Sequence, residues 1–169
     1  MDIFMQEIKT PIGPISLVTT KTHLIATDFG KTSNLKTLAK QRREELQHCS
    51  GSSPLLKKAE QALKDYFQGN PKPLSEIPLD PRGTSFQESI WKALLKIPYG
   101  KTSSYGEIAV KSGHPKAARA VGMANARNPI AIFIPCHRVI GADGSLTGFG
   151  GGLKVKEQLL ELEKNAKTC

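Results

Sequence analysis

The apolar run Ile130-Ala131-Ile132-Phe133-Ile134 leads without a break into Pro135-Cys136-His137-Arg138-Val139-Ile140. A run of that length reads as a buried strand or a core segment. Either way it must be withdrawn from water, and it carries the cysteine to the edge of the core. A thiol beside an imidazole in a partly dry site points to a nucleophile. The reactive form of cysteine is the thiolate, and a cationic or proton-accepting neighbour favours it. The motif alone does not say what is attacked.

The rest of the chain reads as two parts, 1–82 and 83–169, joined by the proline-rich stretch from Asn70-Pro71-Lys72-Pro73 through Pro78 and Pro81. In the first part Ile15 to Thr20 and His23 to Asp28 read as a β-hairpin. One helix is expected near Leu35 to Gln47. A second starts at Ser53-Pro54, an N-cap and first-turn proline, with Leu55, Ala59, Ala62, Leu63, Tyr66 and Phe67 at helical spacing and Gly69 at its end. No catalytic constellation is visible there, so scaffolding is the expected role. The second part reads as helical. Ser85-Phe86-Gln87-Glu88 and Ser104-Tyr105-Gly106-Glu107 look like capping boxes. The second box opens a helix expected to end at Gly113, and His114-Pro115 starts another through Ala124, together a helix-turn-helix candidate. A last helix spans about Leu153 to Lys164, with Val155, Leu159 and Leu162 on one face.

Charge narrows the partners. The net charge of +9 is uneven: residues 1–82 carry 12 Lys+Arg against 9 Asp+Glu, and residues 83–169 carry 12 against 6. The second part, at +6 against +3, is the one suited to a polyanion. Cysteines at 49, 136 and 169 form no CxxC pair, which disfavours a disulfide scaffold. With His23 and His48 as the histidines of the first part, a four-ligand zinc site is not expected. No apolar run approaches the ~20 residues of a membrane span, and the N-terminus lacks a signal-peptide pattern. An intracellular protein follows as the expectation.

The Ile-Pro-Cys-His-Arg-Val core resembles the O6-alkylguanine-DNA alkyltransferase family. So do Asn125-Ala126-Arg127-Asn128-Pro129, Thr147-Gly148-Phe149-Gly150-Gly151-Gly152-Leu153, Lys156-Glu157-Gln158-Leu159-Leu160, Ile97-Pro98-Tyr99-Gly100-Lys101-Thr102 and Ser104-Tyr105-Gly106-Glu107. The likeness covers residues 84–164, and the first 80 residues match loosely. It implies a ribonuclease-H-like α/β N-terminal domain, a small antiparallel sheet with helices, followed by a mainly α domain with a helix-turn-helix. The implied partner is double-stranded DNA containing O6-alkylguanine, bound by a monomer that can bind DNA cooperatively. The implied reaction is irreversible transfer of the alkyl group to Cys136, from O6-methylguanine and also O4-methylthymine, with no cofactor and no metal. The implied compartment is the cytoplasm, or the nucleus of a eukaryote.

The resemblance also assigns roles. Cys136 is the nucleophile, His137 its base through a bridging water, and Glu163 orients the imidazole. On spacing alone Glu163 is one solvated glutamate among Glu157, Glu161 and Glu163. Asn128 ties the cysteine loop to the recognition helix. Arg119 fills the gap left by a flipped nucleotide, on a helix kept slim by Ala117, Ala118, Ala120, Gly122 and Ala124. Tyr105 rotates the phosphate and meets the base. Thr102, Ser104, Ala117, Ala118 and Arg127 line the DNA side. Tyr105, Val139, Phe149 and Gly150 line the base pocket, and backbone groups near Cys136 and Val139 hold the exocyclic amine. Glycine at 150, where some relatives carry a hydroxyl, is expected to widen that pocket. Three other classes stay open on sequence: a non-catalytic lesion binder, which would lack the cysteine; a cysteine hydrolase or redox protein, which would turn over; and a DNA-binding regulator, which would carry a further metal-binding domain.

Overall fold

The computed structural model describes residues 2–30, 49–149 and 151–166. It forms two compact units, Met1–Pro81 and Arg82–Cys169. The helix expected near Leu35 to Gln47 and the pocket position Gly150 lie outside the described residues.

The first unit holds a four-stranded sheet in the order β3-β2-β1-β4. Strands β1 (Ile3–Thr10), β2 (Gly13–Thr19) and β3 (Leu24–Asp28) are antiparallel neighbours, and the two-residue β4 (Cys49–Ser50) runs parallel to β1. The β2–β3 hairpin appears as read, one residue shorter at each inner end. Strand β1 adds to that reading: its apolar residues are broken up by Gln6, Glu7 and Lys9, so its period is weak. Helix α1 (Pro54–Phe67) starts where expected, with Ser53 Oγ accepting from Leu56 N at 3.1 Å, and Gly69 follows it at φ +93°. Its buried face is Leu56, Ala59, Ala62, Leu63 and Tyr66, while Leu55 and Phe67 are half-buried. The proline-rich stretch is part of this unit rather than a free link. It carries a 3-10 helix (Lys72–Glu76), and its end pairs with β3 through Leu24 N to Pro78 O and Asp80 N to Leu24 O.

The second unit begins with α2 (Ser85–Leu94). Its capping box is formed by Thr84 and Gln87, one residue before the expected one. Thr84 wins because it keeps an extended backbone while Ser85 is already helical. Next come β5 (Ser103–Ser104), α3 (Tyr105–Lys111) and α4 (Ala118–Ala126). Ser104 caps α3 as expected, accepting from Glu107 N at 3.1 Å, but the Glu107 carboxylate bonds Ser103 Oγ. Helix α4 begins three residues after Pro115, with no side-chain cap at Ala117. The turn between the helices carries Gly113 at φ +83°.

The apolar run is a core segment and not a strand. Residues 130–134 are all buried, Ile134 N closes back onto Ile130 O at 2.9 Å, and Ile132 sits at φ +76°. Such a backbone costs a β-branched residue about 1–3 kcal/mol and persists only where its surroundings fix it. Here burial and the Asn128 side chain do so. After a second 3-10 turn (Cys136–Arg138), β6 (Val139–Ile140) pairs in parallel with β5, Ser103 opposite Val139. That short ladder sets Tyr105, the first residue of α3, beside the cysteine segment. Helix α5 (Leu153–Ala166) completes the unit. Its buried residues are Lys156, Leu159 and Glu163, so Val155 and Leu162 are only half-buried. The helix turns two charged residues inward.

Candidate active site

Cys136 is 3% exposed, His137 fully buried and Glu163 1% exposed. His137 Nε2 lies 2.7 Å from Glu163 Oε1. A carboxylate only accepts, so Nε2 carries the imidazole proton and Nδ1 is left as the basic nitrogen. Nδ1 is buried with no protein partner. The ring is thus held in the tautomer that can take a proton from a thiol. Glu163 is itself clamped. Arg138 Nε reaches both its oxygens at 3.1 and 2.9 Å, Arg138 Nη2 reaches Oε1 at 2.8 Å, and Gly100 N donates to Oε2 at 3.3 Å. Arg138 also bonds Ile97 O and lies over the Tyr99 ring.

The protonation states follow. Burial works against the Glu163 charge, but the hydrogen bond and charge of His137, then those of Arg138, outweigh it and hold the carboxyl at about 2. Burial pushes His137 down against the pull of Glu163, so the imidazole is neutral at neutral pH. Burial pushes the Cys136 thiol up to about 11, against an Asn128 hydrogen bond and the Lys156 charge. The resting site therefore holds a thiol, a neutral imidazole and a carboxylate already paired with a guanidinium. It pairs a buried thiol with a buried imidazole whose Nδ1 has no hydrogen-bond partner.

Asn128 fixes the approach to the thiol. Its Nδ2 donates to Ile134 O at 2.8 Å and its Oδ1 accepts from Ile130 N at 3.0 Å, so one side chain staples both ends of the apolar turn. Both bonds stay within the cysteine loop. The Asn128 backbone N–H donates to Asn125 O at 3.3 Å in the last turn of α4, and from the same turn Asn125 Nδ2 donates to Cys136 O at 3.2 Å.

Tyr105 is half-buried, its hydroxyl donating to Thr147 O at 2.8 Å and accepting from Thr147 Oγ1 at 3.2 Å. The face of α4 at Gly122 is close enough that a Cβ there would meet the Tyr105 ring at 3.8 Å. Val139 is buried beside Cys136 and Phe149 is half-buried. Arg119, Ala118, Arg127 and Thr102 are exposed, while Ala117 and Ser104 are partly covered. They lie on or beside α3 and α4.

Lys156 was missing from the expected site. It is fully buried, donating to Val139 O and, at 2.8 Å, to Thr147 O, with Nζ 5.9 Å from the Tyr105 ring centre. Burial depresses its pKa while the cysteine raises it. A signal existed: Lys156, Leu159 and Glu163 share one helical face at i, i+3 and i+7, so an inward Glu163 implies an inward Lys156. Among the described residues no cluster of three His, Cys, Asp or Glu side chains is arranged to hold a metal ion, and no helix is long and apolar enough to cross a membrane.

Comparison with known proteins places the chain in a family. Residues 3–81 match the ribonuclease-like domain of 6-O-methylguanine DNA methyltransferase and residues 85–165 match its DNA binding domain. A methylated-DNA–protein-cysteine methyltransferase of Methanosarcina barkeri is 49% identical over 158 residues, covering 94% of this chain and 95% of the relative. One of Mycobacterium bovis is 48% identical over 165 residues, covering 96% and 93%. The crystal structure of Mycobacterium tuberculosis OGT in complex with DNA superposes with a TM-score of 0.82 at 44% identity, covering 98% of this chain and 94% of that one. With a small, mostly antiparallel sheet domain, a helical DNA-binding domain and both family matches in order, the chain belongs to the 6-O-methylguanine DNA methyltransferase family.

Proposed function

We propose that this chain is a direct-reversal DNA repair protein that moves the alkyl group of O6-methylguanine, and also of O4-methylthymine, onto its own Cys136. The observation that carries the reading is the buried thiol beside a histidine whose tautomer is set by Glu163, inside a family DNA-binding domain. In the reaction His137 Nδ1 takes the Cys136 proton through a bridging water. The sulfur then attacks the methyl carbon, the carbon–O6 bond breaks, and its electron pair stays on guanine O6. The Tyr105 hydroxyl, after leaving Thr147 O, donates a hydrogen bond to the departing base, and the proton taken by His137 returns through water to the guanine, which leaves neutral. Lys156 is the buried cation that offsets the thiolate charge. The product is a thioether with no carbonyl for water to attack, so each chain acts once.

The reacting carbon is hidden in the base stack, so the nucleotide must be flipped out toward Tyr105, Val139 and Phe149. Arg119, exposed on the slim α4, fills the vacated space from the minor groove. Thr102, Ser104, Ala117, Ala118 and Arg127 support the DNA backbone around it. Residues 1–82 act as scaffold and 83–169 carry binding and chemistry, in the compartment that holds the DNA. The test is recovery of guanine from a duplex with one O6-methylguanine, read by nucleoside chromatography at rising protein. The expected plateau is one guanine per chain. Recovery beyond one equivalent overturns the suicide reading and points to a turnover enzyme; no recovery with DNA bound points to a lesion sensor.

A further inference from the structure

Asn125 sits in the last turn of α4, 1% exposed, and no role has been given to it. Its Nδ2 donates to Cys136 O at 3.2 Å, while its Oδ1 is buried with no partner. The orientation is fixed, because exchanging the two atoms would set an oxygen against the carbonyl. Burying a bare acceptor carries the desolvation cost of that group. An apolar side chain of the same size would fill this place without that cost. Packing therefore does not account for an asparagine here, and the bond to the nucleophile's own peptide does.

That bond has a particular reach. Cys136 O already closes the 3-10 turn by accepting from Val139 N, and Asn125 takes its second lone pair. The other ties in this segment, Cys136 N to Ile134 O and the Asn128 bonds to Ile134 O and Ile130 N, are local to residues 128–136. At its other end, Asn125 belongs to a well-held turn. Trp91 Nε1 donates to Ala124 O at 3.0 Å and Asn128 N to Asn125 O at 3.3 Å. The same helix carries the exposed Arg119 near its start. Helix α4 is stiff over nine residues, so whatever places its first turn also places Asn125.

We propose that Asn125 is a positioning residue that transmits the seating of α4 on DNA to Cys136, fixing the nucleophile's peptide relative to the docked duplex. The inference rests on the repair reading above. A misplacement of about 1 Å can cost about 10²-fold in a reaction that depends on alignment, so the bond is expected to matter for DNA substrates only.

The experiment compares Asn125→Leu and Asn125→Ala with the native chain in four measurements: thermal unfolding, binding to an undamaged duplex, single-turnover methyl transfer from a duplex with O6-methylguanine, and alkylation of Cys136 by iodoacetamide without DNA, followed by peptide mass. For Asn125→Leu the expected results are unchanged melting, unchanged duplex affinity, unchanged iodoacetamide rate, and at least about tenfold slower transfer from DNA. Asn125→Ala should show the same split with a lower melting temperature. If transfer and iodoacetamide rates fall together, the bond only shapes the cysteine loop and the coupling is wrong. If transfer is unchanged, the bond is incidental. If the native chain transfers no methyl group at all, the repair reading fails first.

Discussion

Acid should loosen the second unit through Glu163, and the size of the effect follows from its surroundings. The carboxyl is held at about 2 against an ordinary value of 4.5. Its folded value is below its unfolded one, so protons bind the unfolded chain more readily. The stabilisation is therefore complete above pH 4.5 and is lost as pH falls toward 2. At about 1.4 kcal/mol per pH unit the full contribution is about 3 kcal/mol, of which about 2 kcal/mol is gone by pH 3. His137, also held below its ordinary value by burial, pushes in the same direction from about pH 6.5 downward. The perturbation is Glu163→Gln, which removes the titrating group. The assay is urea unfolding at pH 7, 5, 4 and 3, followed by the fluorescence of Trp91, the single tryptophan, which is buried in this unit. At pH 7 the variant should be weaker, because Arg138 loses its carboxylate in a buried place; such losses run to about 3–5 kcal/mol. Between pH 7 and 3 the native chain should then lose about 2 kcal/mol more than the variant. Parallel pH profiles for the two proteins would refute the assignment of Glu163 as a buried, paired carboxylate.

Other expectations concern the site. Arg119→Ala should slow repair of a duplex strongly and make the salt dependence of DNA binding shallower by about one charge, as a plot of log affinity against log salt would show. Lys156→Met removes the cation that lowers the Cys136 thiol from its burial-raised value. The iodoacetamide rate of Cys136 at pH 9 should therefore fall several-fold; an equal or faster rate would mean that Lys156 does not support the thiolate. Gly148→Ala places a Cβ 3.5 Å from the Tyr105 hydroxyl on a backbone at φ +56°. It should cost about 1 kcal/mol in urea unfolding and slow methyl transfer, and a neutral result in both would show that the Tyr105 hydroxyl position is not critical.

Much of the site was legible in the chain because its members sit in motifs that local chemistry makes readable. Cys136 and His137 are adjacent, Asn128 precedes a proline, and Ser104 caps the helix that begins at Tyr105. The Glu163 assignment came from the resemblance, since nothing local separates it from Glu157 and Glu161; only the fold pairs it with His137 and Arg138, 26 and 25 residues away. Lys156 and Asn125 were missed for a related reason. A lysine on a surface-like helix and an asparagine in a helix end both read as solvated until the packing partners are known. The apolar run reads by composition as either a buried strand or a core segment. The Asn128 staple and the bond from Ile134 to Ile130 turn it into a loop, an outcome set by side-chain bonding that hydrophobic period does not encode. Strand β1 was hidden by its polar residues, and its pairing with β2 supplied what its period lacked.

The central claim is that the alkyl group ends on Cys136 and stays there. Intact mass after incubation with a duplex carrying one O6-methylguanine tests it most directly, with peptide mapping and a Cys136→Ala control. The account predicts a gain of one methylene per chain, mapped to Cys136, saturating at one and absent from the variant. DNA bound with the mass unchanged, or guanine regenerated repeatedly by a chain of unaltered mass, would contradict it.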